Sequence, residues 1–170
     1  MEIIIKFPDN KNPWNRKYCN DYKNPDAVDK VVKYILRKEG RLKADGKIGK
    51  YDIFGSIGVY SKDIFGIIDD FKKLKQIHDK TDGVQIKHII ISFKKQPDLK
   101  SSKLKKLIIQ TLKYFGNKYQ LVYAVHEDTD NLHIHIGINS VSFTGEKFNF
   151  RVEEQHEFTK RTKKIFADYI

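Results

Sequence analysis

One cysteine, Cys19, stands alone in 170 residues, so no internal disulfide can form and no cysteine pair exists to hold zinc in a finger. Four prolines and ten glycines are scattered through short connections, which leaves no linker, no low-complexity tract and a single domain over 1–170. Long apolar runs are missing as well. The opening Ile3-Ile4-Ile5 has no basic segment before it, and nothing later approaches the roughly 18 apolar residues of a membrane span. The expectation is a soluble cytoplasmic protein without membrane insertion.

Acidic residues are outnumbered, 22 against 33 Lys+Arg, and the formal charge of +11 points to a polyanionic partner. Lys, Ile and Asn are abundant together, so an A/T-rich coding sequence accounts for part of that surplus. With 39% hydrophobic residues the chain can bury a core, which argues against disorder.

Hydropathy periodicity lays out the elements. Ile3 to Phe7 reads as a short strand stopped by Pro8, followed by an ordered loop carrying Trp14, Tyr18 and Tyr22. Asn24-Pro25-Asp26 reads as N-cap, first turn and acid, opening a helix to about Lys38 that Gly40 stops. Its apolar stripe is Val28, Val31, Val32, Ile35 and Leu36, and Tyr34 falls about 60° outside it, at the border of core and surface. Strands are expected at Tyr51 to Tyr60, Gln85 to Lys94, Leu121 to Glu127, Leu132 to Ser142 and near Phe148. Helices are expected at Asp63 to Ile77, Ser101 to Phe115 and from Glu153 onward. The fold class is α+β, a central antiparallel sheet of about five strands packed with helices.

The informative segment runs from His126 to Asn139. Alternation puts Leu132, Ile134, Ile136 and Ile138 on one face of the strand and His133, His135, Gly137 and Asn139 on the other. One face is expected to pack on helices and the opposite face to be functional or wet. Spacing of i, i+2 sets two imidazoles about 6.5 to 7 Å apart along a strand. The turn Asp128-Thr129-Asp130-Asn131 folds His126 back toward them, beside Glu127 and Asp128. Three imidazoles around one divalent cation leave positions for water or a substrate oxygen, as Lewis-acid catalysis requires. His126, His133 and His135 are therefore the expected metal ligands. His88 shares parity with Ser92 and reads as a structural histidine, while His78 and His156 read as surface residues.

These residues carry a resemblance. Ala124 to Asn139 is similar to the third motif of the relaxases of the HUH endonuclease superfamily, most closely the MobP type typified by the TraI relaxase of IncP conjugative plasmids. Ile90-Ile-Ser-Phe-Lys94 with Pro97-Asp98 resembles the second motif, and Val31-Val-Lys-Tyr-Ile35 the first. The resemblance implies a bacterial nuclease domain, from the N-terminal part of a longer protein, that nicks an origin of transfer through a 5′-phosphotyrosine and starts conjugative mobilisation. It implies Tyr34 as nucleophile, Ser92 holding DNA beside the nick, and Asp128 and Asn139 as orienting groups. One of the paired strand histidines would also assist proton removal. It implies one divalent ion, Mg²⁺ or Mn²⁺, although imidazoles suit Zn, Ni, Cu and Fe as well. Glu127 departs from the IncP pattern, which has a second histidine there; a carboxylate at that position either changes metal preference or does nothing.

A phenol ionises only near pH 10, so such a nucleophile needs a base, a polarised phosphate or both. Tyr18 and Tyr22 are alternative nucleophiles, whereas Tyr51, Tyr60, Tyr114, Tyr119 and Tyr123 read as packing. Lys33, Arg37, Lys38, Arg41, Lys94, Lys95 and Trp14 are the expected contributors to single-stranded DNA binding. Expected partners are single-stranded and origin-of-transfer DNA, with relaxosome accessory and coupling proteins. Two other readings stay open: a rolling-circle replication initiator of the same superfamily, and a non-catalytic basic DNA-binding accessory protein.

Overall fold

The computed structural model of the chain describes residues 2–8, 22–43 and 45–168; Trp14 and Tyr18 fall outside them. Five strands, β1 (Ile3–Lys6), β2 (Phe54–Ile57), β3 (Ile86–Lys94), β4 (Tyr119–His126) and β5 (Asn131–Ser142), form one antiparallel sheet in the order β1-β3-β5-β4-β2. Four helices cover it: α1 (Ala27–Leu36), α2 (Ile64–Ile77), α3 (Ser101–Leu112) and α4 (Val152–Ala167). The α+β architecture expected from the sequence is the one observed.

Alternation along β5 divides the core in two. Leu132, Ile134, Ile136 and Ile138 join Leu104, Leu107 and Ile108 of α3 and Phe158 and Phe166 of α4 on one side of the sheet. On the other side, α1 and α2 pack on Ile86, Val122 and Ala124 through Val28, Val32, Ile35, Ile68 and Phe71. This corrects the expectation of one helix-covered face and one wet face: both carry helices. The run Leu121-Val122-Tyr123-Ala124-Val125, apolar at every position, signals it, because a strand buried on both faces has no reason to alternate. Among the described residues, α1 and α2 leave the end of the histidine face beyond Leu36 without a helix.

Several boundaries shift. Asn24 makes a turn rather than the cap, its side chain accepting from the Asp26 amide at 3.2 Å and its carbonyl accepting from Ala27 at 2.9 Å. The helix then starts at Ala27 with Asp26 as N-cap, and it ends at Leu36 because Arg37 turns extended. β2 is four residues long, not the expected Tyr51 to Tyr60. Tyr51 instead buries its ring and donates to the carbonyls of Gln96 and Leu99, while Tyr60 is 98% exposed and takes no part in packing among the described residues. The strand expected near Phe148 is a single bridge between Val141 and Lys147. A Cβ on Gly137 would fall 2.9 Å from both Ile35 Cδ1 and Val122 Cγ2, so the bare glycine lets α1 lie low on the sheet.

Candidate active site

Strand register assembles the site row by row. Ser92, His133 and His126 are direct neighbours on β3, β5 and β4, with Ile4 of β1 completing the row. Two residues along, the same face carries Lys6, Ile90, His135, Ala124 and Phe54. The row after that carries His88, Gly137, Val122 and Ser56. Four histidines, 88, 126, 133 and 135, therefore share one patch, at the end of the sheet where α1 stops.

Hydrogen bonds set which nitrogen His126 presents and link the choice in His135 to that in His88. His126 Nε2 lies 2.8 Å from the carbonyl of Ile35, in the last turn of α1. A carbonyl can only accept, so Nε2 carries the proton and satisfies one of the acceptors a helix end leaves orphaned. The other nitrogen, His126 Nδ1, is then a bare lone pair, buried and without a hydrogen-bond partner among the described residues. His135 Nδ1 is 3.0 Å from His88 Nε2, and His88 Nδ1 is 3.3 Å from the Tyr22 hydroxyl. For His135 to offer the lone pair of Nε2, its proton must sit on Nδ1 and be donated to His88. His88 must in turn hold its own proton on Nδ1, toward Tyr22.

Burial keeps these rings neutral. Desolvation pushes His88 down to about 3, holds His135 well below the usual imidazole value and lowers His126 and His133. Asp128 pulls the last two partly back up. Neutral imidazoles are the form that binds metals. The ring centres of His126 and His135 are 4.3 Å apart and those of His133 and His135 6.1 Å. Among the described residues no three His, Cys, Asp or Glu side chains are gathered closely enough to hold an ion. The chemistry of the donors suits a cation even though the rings are not gathered around one point: three neutral imidazoles, one of them presenting a buried nitrogen without a partner among the described residues, with the negative end of the α1 dipole beside them.

Tyr34, 43% exposed on the last turn of α1, lays its ring edge-on against three of these histidines. Its centre is 5.3 Å from that of His135, 5.5 Å from His126 and 6.2 Å from His88. The guanidinium of Arg37 covers the phenol ring at 4.6 Å and pairs with Asp128 at 2.9 Å, joining the end of α1 to the β4–β5 turn. Tyr22 is buried with its hydroxyl against His88, which removes it as a free nucleophile and makes it part of the histidine chain.

Other expected residues scatter. Asn139 is four residues beyond His135, about 13 Å along the strand. Its amide donates to Phe71 and Gln120, so it fastens α2 to the far end of the sheet and orients nothing in the histidine patch. Ser92 is buried beside His133, Lys33, Lys38 and Lys94 are exposed, and Lys95 donates to the Glu127 carbonyl at 2.9 Å. Arg41 pairs with Asp52. Glu127 does not face the metal candidates: its carboxylate accepts from the amides of Lys50 at 2.8 Å and Tyr51 at 3.1 Å, and Gly49 packs hard against it. Gly40 does more than follow a helix, because a Cβ there would come within 2.8 Å of the His126 ring. The parity of His88 was visible in the sequence; the contacts of Glu127 and Gly40, which join positions some 75 to 90 residues apart, carry no local signal.

Residues 34–169 match the model of the family described as relaxase, MobA/VirD2-like, nuclease domain. Protein rlx of Staphylococcus aureus is 29% identical over 100 residues, covering 58% of this chain and 30% of the relative. A second Staphylococcus aureus protein rlx is 33% identical over 92 residues, 54% of this chain and 28% of the relative. The group II intron-interrupted relaxase LtrB of Lactococcus lactis subsp. cremoris is 33% identical over 76 residues, 44% of this chain and 14% of the relative. The matched part thus spans less than a third of each relative's own length. With the histidine patch and the helix-borne tyrosine on one sheet face and the family match spanning both, the chain belongs to the MobA/VirD2-like family of relaxase nuclease domains.

Proposed function

We propose that this domain nicks one DNA strand at an origin of transfer, with Tyr34 as nucleophile, as the first step of conjugative mobilisation. The observation that carries the reading is the phenol of Tyr34 packed against His126, His135 and His88 at the open end of the sheet. In the reaction the phenol oxygen bonds to the scissile phosphorus and the bond to the 3′ oxygen breaks. The products are a 5′-phosphotyrosine and a free 3′-hydroxyl, so the phosphodiester energy is kept for rejoining. The phenol proton passes to water, and the leaving 3′ oxygen takes up a proton.

His126, His133 and His135 are the residues that would hold a divalent cation, Mg²⁺ or Mn²⁺, whose chemistry when bound is polarisation of a phosphate oxygen. Arg37, held by Asp128, steadies the phenol ring and contributes positive charge beside the phosphate. Ser92, buried beside His133 on the same face, is the residue that would contact the strand next to the nick once DNA is bound. The accessory and coupling proteins of a relaxosome are the partners this reading implies.

The test incubates the protein with single-stranded oligonucleotides tiling the DNA around its coding sequence, in Mg²⁺ or Mn²⁺. A denaturant-resistant adduct mapping to Tyr34 is expected, absent in Tyr34→Phe although that variant still binds DNA, and lost in His133→Ala. Full cleavage by Tyr34→Phe, or an unchanged rate in His133→Ala, would overturn the assignment. A purely binding module gives a reversible shift and no adduct.

A further inference from the structure

Three basic side chains spaced four residues apart each lie over an exposed aromatic ring. Lys33 Nζ is 5.5 Å from the centre of Phe65, the Arg37 guanidinium 4.6 Å from Tyr34, and that of Arg41 3.9 Å from Phe54. The middle ring is the nucleophile of the reading above. Of the outer two, Phe65 in the first turn of α2 meets the basic residue just before Tyr34, and Phe54 opens β2.

Neither outer ring serves a core. Phe54 is 49% exposed and Phe65 73%, and neither belongs to the clusters that pack the two faces of the sheet. Phe54 stands in the same row as Ala124 and His135, so its ring is on the histidine face, two strand spacings or about 10 Å from His135. Arg41 is held by Asp52 at 2.6 Å with its own side chain only 15% exposed, so it backs one side of the Phe54 ring and leaves the rest open. A flat ring backed by a fixed guanidinium suits a nucleobase, which stacks on the ring while the cation faces an adjoining phosphate.

We propose that Phe54 and Phe65 are stacking platforms for two unpaired bases on either side of the phosphate offered to Tyr34, with Arg41 and Lys33 serving the adjoining phosphates. The proposal rests on the strand-nicking reading and deepens it: the domain grips its substrate by base faces, which makes the neighbourhood of the nick necessarily single-stranded.

The probe is a thymidine oligonucleotide in which some bases are replaced by 5-iododeoxyuridine, which couples to a stacked aromatic ring under long-wave ultraviolet light. Cross-linked peptides containing Phe54 and Phe65 are expected. Phe54→Ala and Phe65→Ala are each expected to weaken binding of the unmodified oligonucleotide by roughly tenfold or more, and Phe54→Trp and Phe65→Trp to restore it. Both rings are exposed, so the variants should melt as the wild type does. Wild-type affinity in both alanine variants, or cross-links that avoid both rings, overturns the proposal and leaves the nicking reading standing. A wild-type protein that binds no single-stranded DNA overturns both.

Discussion

At the scale of single residues, the site depends on where each proton sits. His126 has its proton fixed by a helix carbonyl, but His135 has its own fixed only through His88. His88→Leu is therefore expected to lower Mn²⁺ affinity by about 10- to 100-fold, the usual effect of losing a group that orients a metal ligand. His88→Gln, whose side-chain oxygen can still accept from His135 Nδ1, should stay near wild type. Calorimetric titration with Mn²⁺ checks both, and equal affinity in all three proteins would remove His88 from the site. The ligand candidates were legible because strand parity and a turn suffice to gather 126, 133 and 135 on one face. Tyr34 was legible in its border position from helix geometry alone. Asn139 shares that parity, yet its distance along the strand puts it in another part of the molecule.

At the scale of elements, the loop between α1 and β2 is fastened to the histidine hairpin by Glu127, whose two carboxylate oxygens take two consecutive backbone amides. Removing a buried acceptor leaves both donors unpaired at a cost of about 1–3 kcal/mol each. Glu127→Ala is thus expected to speed hydrogen exchange at the amides of Lys50 and Tyr51 and to lower the denaturation midpoint, with Mn²⁺ affinity less affected than in His133→Ala. Exchange unchanged at those two amides would show that the loop is held by other contacts. The sequence marks residue 127 as acidic beside a candidate ligand and nothing more, since its partners are main-chain groups without side-chain identity. The same limit explains β2. A run from Tyr51 to Tyr60 has strand-like composition, but its ladder with β4 is confined to Phe54–Ile57, with one further bond from the Val125 amide to the Ile53 carbonyl at 2.8 Å.

At the scale of the whole molecule, stability carries the mark of one buried cation. Lys75 of α2 is 2% exposed, its Nζ has no partner among the described residues, and desolvation together with Lys147 and Lys72 pushes it from 10.5 down to about 7. Between those values the unfolded chain binds more protons than the folded one, so stability should rise as pH increases from about 7 to about 10.5. Below 7 the lysine is charged in both states, and the cost of burying that charge stands in full. Lys75→Met should raise the melting temperature at neutral pH and flatten the rise above it, by an amount on the order of a few kcal/mol. An unaltered pH dependence would show that this amine reaches water. The layers themselves meet across Gly137, where the helix sheet spacing is set by atoms that are not there. A methyl at that position would press on the tips of Ile35, Val122 and Ile86, so side chains wedged between α1 and the sheet would have to move. Tyr34 is the next residue to Ile35 in the chain, so Gly137→Ala, an alteration on the strand that touches none of the groups proposed to react, is expected to slow formation of the proposed Tyr34 adduct, and an unchanged rate would show that the interface absorbs the methyl.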